Sequence, residues 1–490
     1  MPSLVVESLP SRAAPPPAPP AWWRRRGARL ALPAALAASC FVLPAPAGLT
    51  GPAWRLLGIF VATVLLILLN ALPEPSAVLL GVTAAALTAV PLKAVLAGYA
   101  DSTFWLIITA VMMSVGFRKS GLAGRVGLLL LRAFGRTPLG LAYVFGALDL
   151  LLATSIPAAP ARTGGLVYPL ARGVLDVTEA KGGEGGRRLG AYLTVSLYML
   201  SMVTGSLFLT GMAPNVLNAS LAAKILGVQL TWPLWTLAAA PGFLLFLGLP
   251  VLVSRLAPPG VLPVAAARER SRAALAALGP MKPREWIVAA TFSLALGLWA
   301  TSSLTGVNIA VVAFAGVSVL LVTHVIEWKD LADSKETWSA LVWFGGILGL
   351  ASALDGTGFF KWLTAAIQGC LPPGRMGTGA AFLLIALLAT LPHYLFPSLV
   401  AYVATFSPVV FSFIAATGAP RYPAALLACF LMTISSTLTH YGNGLGPMLF
   451  DTGYVGKATW WKVGLAVTAL AAALYLAVGL PYWRLVGLYR

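Results

Sequence analysis

The sequence predicts an all-α polytopic membrane protein with about 11–13 transmembrane helices in two inverted repeats, each carrying a broken-helix hairpin. Three observations predict it. The 490-residue chain is 59% hydrophobic and only 10% charged. Its apolar residues fall in runs long enough to cross a bilayer. Breaks rich in proline and glycine recur at matching places in the two halves. A soluble domain carries charged residues near a quarter of its composition, so this chain cannot cover itself with polar surface in water. In lipid, backbone groups satisfy one another within helices.

Along the chain, residues 1–29 read as a disordered basic tail, with only Ala and Pro from Ala13 to Pro20. Trp22-Trp23-Arg24-Arg25-Arg26 forms an aromatic and basic belt before the first apolar run. No small-residue cleavage site follows it, so a cleavable signal is not expected. The first membrane half is residues 30–254, with apolar runs beginning near Leu30, Trp54, Ser76, Phe104, Leu139, Leu189 and Trp232. Residues 255–284 form the one long polar connection, and Arg255, Arg268, Arg270, Arg272, Lys282 and Arg284 make it basic. The positive-inside rule places this linker and the N-terminus on the cytoplasmic side. The second half, residues 285–490, resumes near Trp286, Asn308, Trp338, Thr378, Ala424 and Trp461.

The halves resemble one another. Phe104-Trp105-Leu106-Ile107 matches Val342-Trp343-Phe344-Gly345, and Lys119-Ser120-Gly121-Leu122 matches Gly356-Thr357-Gly358-Phe359. A hairpin near residues 155–175, broken at Pro157-Ala158-Ala159-Pro160, matches one near residues 393–410, broken at Pro397-Ser398-Leu399-Val400. A further break near residues 210–215, Thr210-Gly211-Met212-Ala213-Pro214-Asn215, matches one near residues 439–446 that contains Thr439-His440-Tyr441-Gly442-Asn443-Gly444. A broken helix frees backbone N–H and C=O groups, which survive in hydrocarbon only where they line a polar cavity. Paired breaks mark the binding site of secondary transporters with inverted repeats, where helix N-termini attract anions and unwound carbonyls attract cations.

These residues resemble the divalent anion/sodium symporter family, and within it the branch of citrate–succinate and 2-oxoglutarate–malate antiporters. The most telling stretches are Ala161-Arg162-Thr163-Gly164-Gly165-Leu166-Val167-Tyr168-Pro169, Phe208-Leu209-Thr210-Gly211-Met212-Ala213-Pro214-Asn215 and Leu438-Thr439-His440-Tyr441-Gly442. His393-Tyr394-Leu395-Phe396, Gly453-Tyr454-Val455 and Trp460-Trp461 add to them. The resemblance implies a secondary active carrier of di- or tricarboxylates of the succinate, malate, 2-oxoglutarate, citrate or tartrate class. It further implies antiport by an elevator mechanism, a homodimer, and residence in the inner membrane. A sodium-coupled symporter is the alternative, and a membrane-embedded enzyme or channel a distant one.

The family carries a Ser-Asn-Thr tripeptide at each hairpin tip, touching substrate carboxylate and sodium. Aligned on the family's pattern, the first falls on Ala158, Ala159 and Pro160, and the second on Ser398, Leu399 and Val400. Only Ser398 keeps a hydroxyl, so sodium binding is expected to be weak, at Ser155, Gly211, Ser398 and Gly442. No other cofactor is expected.

The remaining candidates for the substrate follow from their chemistry. The guanidinium of Arg162, beside Thr163, can grip a carboxylate bidentately. Thr210 and Asn215, with Thr439 and Asn443 as their counterparts, can cap a half-helix or face the anion. His393 and His440 can donate to a carboxylate or carry a proton, whereas His324, beside Glu327 and Lys329, reads as interfacial. Asp149, acidic inside an apolar run, is either a cation site or the partner of Arg162. Cys40, Cys370 and Cys429 lack metal-ligand spacing and read as buried thiols. The chain carries no P-loop, His-Glu-x-x-His or Gly-x-Ser-x-Gly motif, which speaks against an enzyme. The net charge of +18 reads as loop residues and not as a nucleic-acid surface. The partners expected are small carboxylates and membrane lipid.

Overall fold

The computed structural model describes residues 26–260, 264–370 and 376–489. Of the tail expected over residues 1–29, residues 1–25 lie outside the described residues and residues 26–29 belong to the first helix. Within the described residues the fold is helical, with no strand.

Three helices open the chain: α1 (Arg26–Val42), α2 (Gly51–Leu68) and α3 (Glu74–Thr88). The first half continues through α4 (Ser102–Ser120), α5 (Leu122–Phe134), α6 (Pro138–Ala153), the long α7 (Tyr168–Leu207), α8 (Ala213–Leu226) and α9 (Ala240–Leu256). The basic linker carries a helix of its own, α10 (Val264–Leu278). The second half runs through α11 (Pro283–Ala300), α12 (Ile309–Val322), α13 (Lys335–Gly356), α14 (Phe359–Cys370), α15 (Thr378–Leu388), α16 (Leu399–Thr417), α17 (Arg421–Ile434), α18 (Leu445–Phe450) and α19 (Lys457–Leu474).

The order of elements repeats. The series α4, α5, α6, break, α7, break, α8 is answered by α13, α14, α15, break, α16 with α17, break, α18. Each break has a local cause. Pro157 and Pro160 stop α6 from running on, and the chain re-enters a helix through a π-helical turn at Pro160–Val167. In the second half Ser398 caps α16 by accepting from Ala401 N–H at 3.3 Å.

Seven helical stretches among the described residues are long and apolar enough to cross a membrane, or nine if each of two bent pairs is one span. That is fewer than the 11–13 spans expected from the apolar runs. Four of those runs form apolar helices of 10–17 residues, among them Glu74–Thr88 and Pro138–Ala153. Prolines at the first turn set the starts of Glu74–Thr88 and Pro138–Ala153.

The linker is pinned to the first half. Arg125 on α5 meets Glu285 with two parallel hydrogen bonds of 2.7 and 3.0 Å, and donates to the carbonyls of Gly279 and Pro280 at 2.7 and 3.1 Å. This bidentate geometry fixes both angle and distance where the linker enters α11. Cys40 and Cys429 are buried as expected, but Cys370, the last residue of α14, is exposed.

Candidate functional site

Two cavities lie along the pair formed by α4 and α8. One, of about 580 Å³, is lined by both hairpin tips: Pro157 to Ala161 from the first repeat and Ser398 to Val400 from the second. Its volume falls within the roughly 300–1,000 Å³ of small-molecule sites. Met212 to Pro214 and Asn443-Gly444, from the two later breaks, complete its wall. The helix N-termini at Pro160, Ala213 and Leu399 therefore meet one space, and each carries roughly half a positive charge from its aligned peptide dipoles. The other cavity, of about 690 Å³, is lined by the N-terminal turns of α4 and the C-terminal part of α8, with Asp101, Lys224 and Asn308 among its walls. Although larger, it holds neither hairpin tip.

The partition between the cavities is thin. On α4, Leu106 lines the larger cavity and Ile107 the smaller; on α8, Val216 lines the larger and Pro214 the smaller. Leu106, Ile107 and Val216 are all essentially buried.

Of the expected substrate residues, Ala158, Ala159, Pro160, Ser398, Leu399, Val400 and Asn443 line the tip cavity. Asn443 does so while capping α18: its side-chain carbonyl accepts from Leu445 N–H at 2.8 Å. The others are placed differently. Arg162, fully buried, does not face the cavity as a free grip. All five of its N–H donors are engaged: Nε to Asp149 at 3.1 Å, Nη1 to the carbonyls of Ile156 and Gly211, each at 2.8 Å, and Nη2 to Ser201 O and Oγ at 3.2 and 3.3 Å. Thr163 donates to Asp149 at 2.5 Å, and Thr204 donates to its other oxygen, also at 2.5 Å. Asp149 is thus the partner of Arg162, and the pair ties the first tip to α7 and to the later break.

Thr210 donates to Thr154 O at 2.6 Å and accepts from the Trp232 indole at 3.1 Å. Asn215 donates to the carbonyls of Gly205 and Phe208 at 2.8 and 3.0 Å, and accepts from Thr433 at 2.7 Å. Both brace the break from behind. Thr439 is buried with its hydroxyl unpartnered among the described residues. His440 accepts from the Trp461 indole at 3.1 Å and lies 4.3 Å from the Phe450 ring, in an aromatic cluster away from the tips. His324 is exposed and holds a positive φ of 54° in a turn.

The positions expected to bind sodium make hydrogen bonds within the protein. The Gly211 carbonyl accepts from Arg162, and the Gly442 carbonyl lies 3.0 Å from His393 Nε2. A carbonyl can only accept, so Nε2 carries the proton and Nδ1 meets Ser435 Oγ at 2.8 Å. Ser155 Oγ shares a hydrogen bond of 3.1 Å with Thr154.

Residues 24–489 match the family model described as the sodium:sulfate symporter transmembrane region. The chain belongs to this family of divalent anion/sodium symporters. This family member is 35% identical over 460 residues to the inner membrane protein YbhI of Escherichia coli, covering 92% of this chain and 96% of that one. It is 34% identical to dicarboxylate transporter 1 of Arabidopsis thaliana chloroplasts, over 91% of this chain and 81% of that protein. Against the citrate/succinate antiporter of Escherichia coli it is 30% identical, over 92% and 97% of the two chains. The solved structure of Neisseria gonorrhoeae MtrF shares the fold, with a TM-score of 0.51 at 14% identity over 94% of this chain and 95% of that one. This family member is accordingly a multi-pass membrane transport protein and not an enzyme.

Three charged groups of the tip cavity escaped the sequence reading: Glu74 on α3, Arg118 on α4 and Glu336 on α13. Arg118 and Glu336 approach to 4.0 Å. The available signal was an acidic or basic residue within one turn of the end of an apolar run, which reads equally well as an interfacial anchor.

Proposed function

We propose that this protein exchanges di- or tricarboxylate anions across the membrane by alternating access. One observation carries the reading: both hairpin tips, three helix N-termini and the Arg118 guanidinium line a single cavity of small-molecule size. The fixed dipoles and the Arg118 guanidinium favour an anion there, beside the acids Glu74 and Glu336. The names of relatives, a dicarboxylate transporter and a citrate/succinate antiporter, support the substrate class. Two cavities parted by about one helical turn of α4 and α8 support alternating access, since a small displacement of the tips would exchange which cavity they face.

Antiport without sodium is the finer part of the proposal. A sodium site is built from oxygens held free to coordinate. Here the carbonyl of each later break already receives an N–H, from Arg162 in the first repeat and from His393 in the second. With no cation to travel beside the anion, the empty carrier reorients slowly and a second carboxylate returns it. The linker and the N-terminus lie on the cytoplasmic side in this reading.

Purified protein in vesicles preloaded with dicarboxylate should take up labelled malate, and empty vesicles should not. The family model's description favours sodium symport as a second reading. Uptake into empty vesicles driven by a sodium gradient would establish that reading instead.

A further inference from the structure

Glu74 is the first residue of α3, and its side chain reaches the second hairpin tip, where Oε1 accepts from Ser398 Oγ at 2.9 Å. A hydroxyl has a single proton. In this arrangement the only side-chain hydroxyl of either aligned tip spends it on Glu74, so Ser398 has none to offer a carboxylate. An ionised carboxylate is itself an acceptor and nothing else. The cavity thus holds groups of two kinds: helix N-termini and Arg118, which suit carboxylates, and Glu74, which suits a donor. Glu336, the other acid of the cavity, lies 4.0 Å from Arg118 and is half exposed.

Building on the carboxylate reading above, we propose that Glu74 determines specificity by selecting dicarboxylates that carry a hydroxyl. Fully ionised succinate brings acceptors alone and meets Glu74 with like charge. A 2-hydroxy-dicarboxylate turns its O–H toward Glu74 and replaces the hydroxyl of Ser398. A site built to pair with a substrate hydroxyl rejects the analogue that lacks it far more strongly than an apolar pocket rejects a missing methylene, because its own polar group is left unpaired. Glu74 is specified as the acceptor of that hydroxyl, with the tip serine as the group it holds in the absence of substrate.

The test is initial-rate exchange of malate and of succinate in vesicles preloaded with unlabelled dicarboxylate, for the wild type, Glu74→Ala and Glu74→Gln. The wild type should prefer malate by about tenfold or more in kcat/KM. Glu74→Ala should bring the ratio close to one, with the change carried by a higher KM for malate and a lower KM for succinate. Glu74→Gln, whose amide can donate to a carboxylate as well as accept, should likewise narrow the ratio. Should Glu74→Ala exchange neither acid, thermal stabilisation of purified Glu74→Gln by each acid reads the same preference. A malate-to-succinate ratio as wide in the variants as in the wild type overturns the assignment of Glu74. A wild type that exchanges neither acid, nor citrate, tartrate or 2-oxoglutarate, defeats the carboxylate reading itself, which separates the two failures.

Discussion

Arg162 donates to the carbonyl of Gly211 at 2.8 Å, joining the first hairpin tip to the break that follows α7. The second repeat makes the same junction with different chemistry, His393 Nε2 reaching the carbonyl of Gly442 at 3.0 Å. The two glycines stand in matching surroundings. A Cβ on Gly211 would lie 2.4 Å from the carbonyl oxygen of Gly205, and one on Gly442 would lie 2.3 Å from that of Ser436, six residues upstream in each case. Two breaks of one architecture are therefore braced by different side chains, a guanidinium and an imidazole.

Gly211→Ala and Gly442→Ala should each abolish exchange and lower the melting temperature in detergent, because the new methyl meets backbone that cannot turn away. Gly124→Ala on α5, where a Cβ meets nothing within 4 Å, should leave both measurements unchanged or slightly improved. Normal exchange by both break variants would show that the close approach is not required.

Arg162→Ala should destabilise the protein by about 3–5 kcal/mol, since it leaves Asp149 as an uncompensated buried charge. The double variant Arg162→Ala, Asp149→Asn should recover part of that loss. Thermal melts of the three proteins check the order. A double variant less stable than Arg162→Ala would mean that the pair is not the dominant contact.

Arg118→Gln should raise the KM for a dianion by about tenfold or more while changing kcat less, because a hydrogen bond to a charged group is worth roughly 1.5–3 kcal/mol. Its partner Glu336, 4.0 Å away and half exposed, should tolerate Glu336→Gln with a smaller effect. Equal KM values in wild type and Arg118→Gln would move the anion site away from α4.

Exchange should change by less than about twofold when choline replaces sodium, because N–H donors already engage the Gly211 and Gly442 carbonyls. Initial rates at equal ionic strength measure it. A steep, saturable rise with sodium would overturn this expectation.

Cysteines introduced at Ser11 and Ser254, in a protein whose exposed Cys370 is first changed to serine, should label from the same side of the membrane. Labelling from opposite sides would remove the cytoplasmic assignment of the tail and linker.

By itself the sequence determined the class of fold, because 59% hydrophobic residues in long runs admit only helices in lipid. It also carried the proline breaks, since Pro157, Pro160 and Pro397 act through their own backbone geometry. Local chemistry of this kind needs no partner to be legible. Tertiary structure alone decided which polar groups face the cavity. Arg162, Thr163, Thr210, Asn215 and His440 have the donors that an anion site calls for, yet their hydrogen bonds are met by protein groups distant in sequence. Glu74 and Arg118 sit near the ends of apolar helices and read as anchors until packing brings them to the tips. Whether a polar side chain is free for a ligand depends on every other group within hydrogen-bond reach of it. Glu74 and Ser398, 324 residues apart, come within that reach only when the chain is folded.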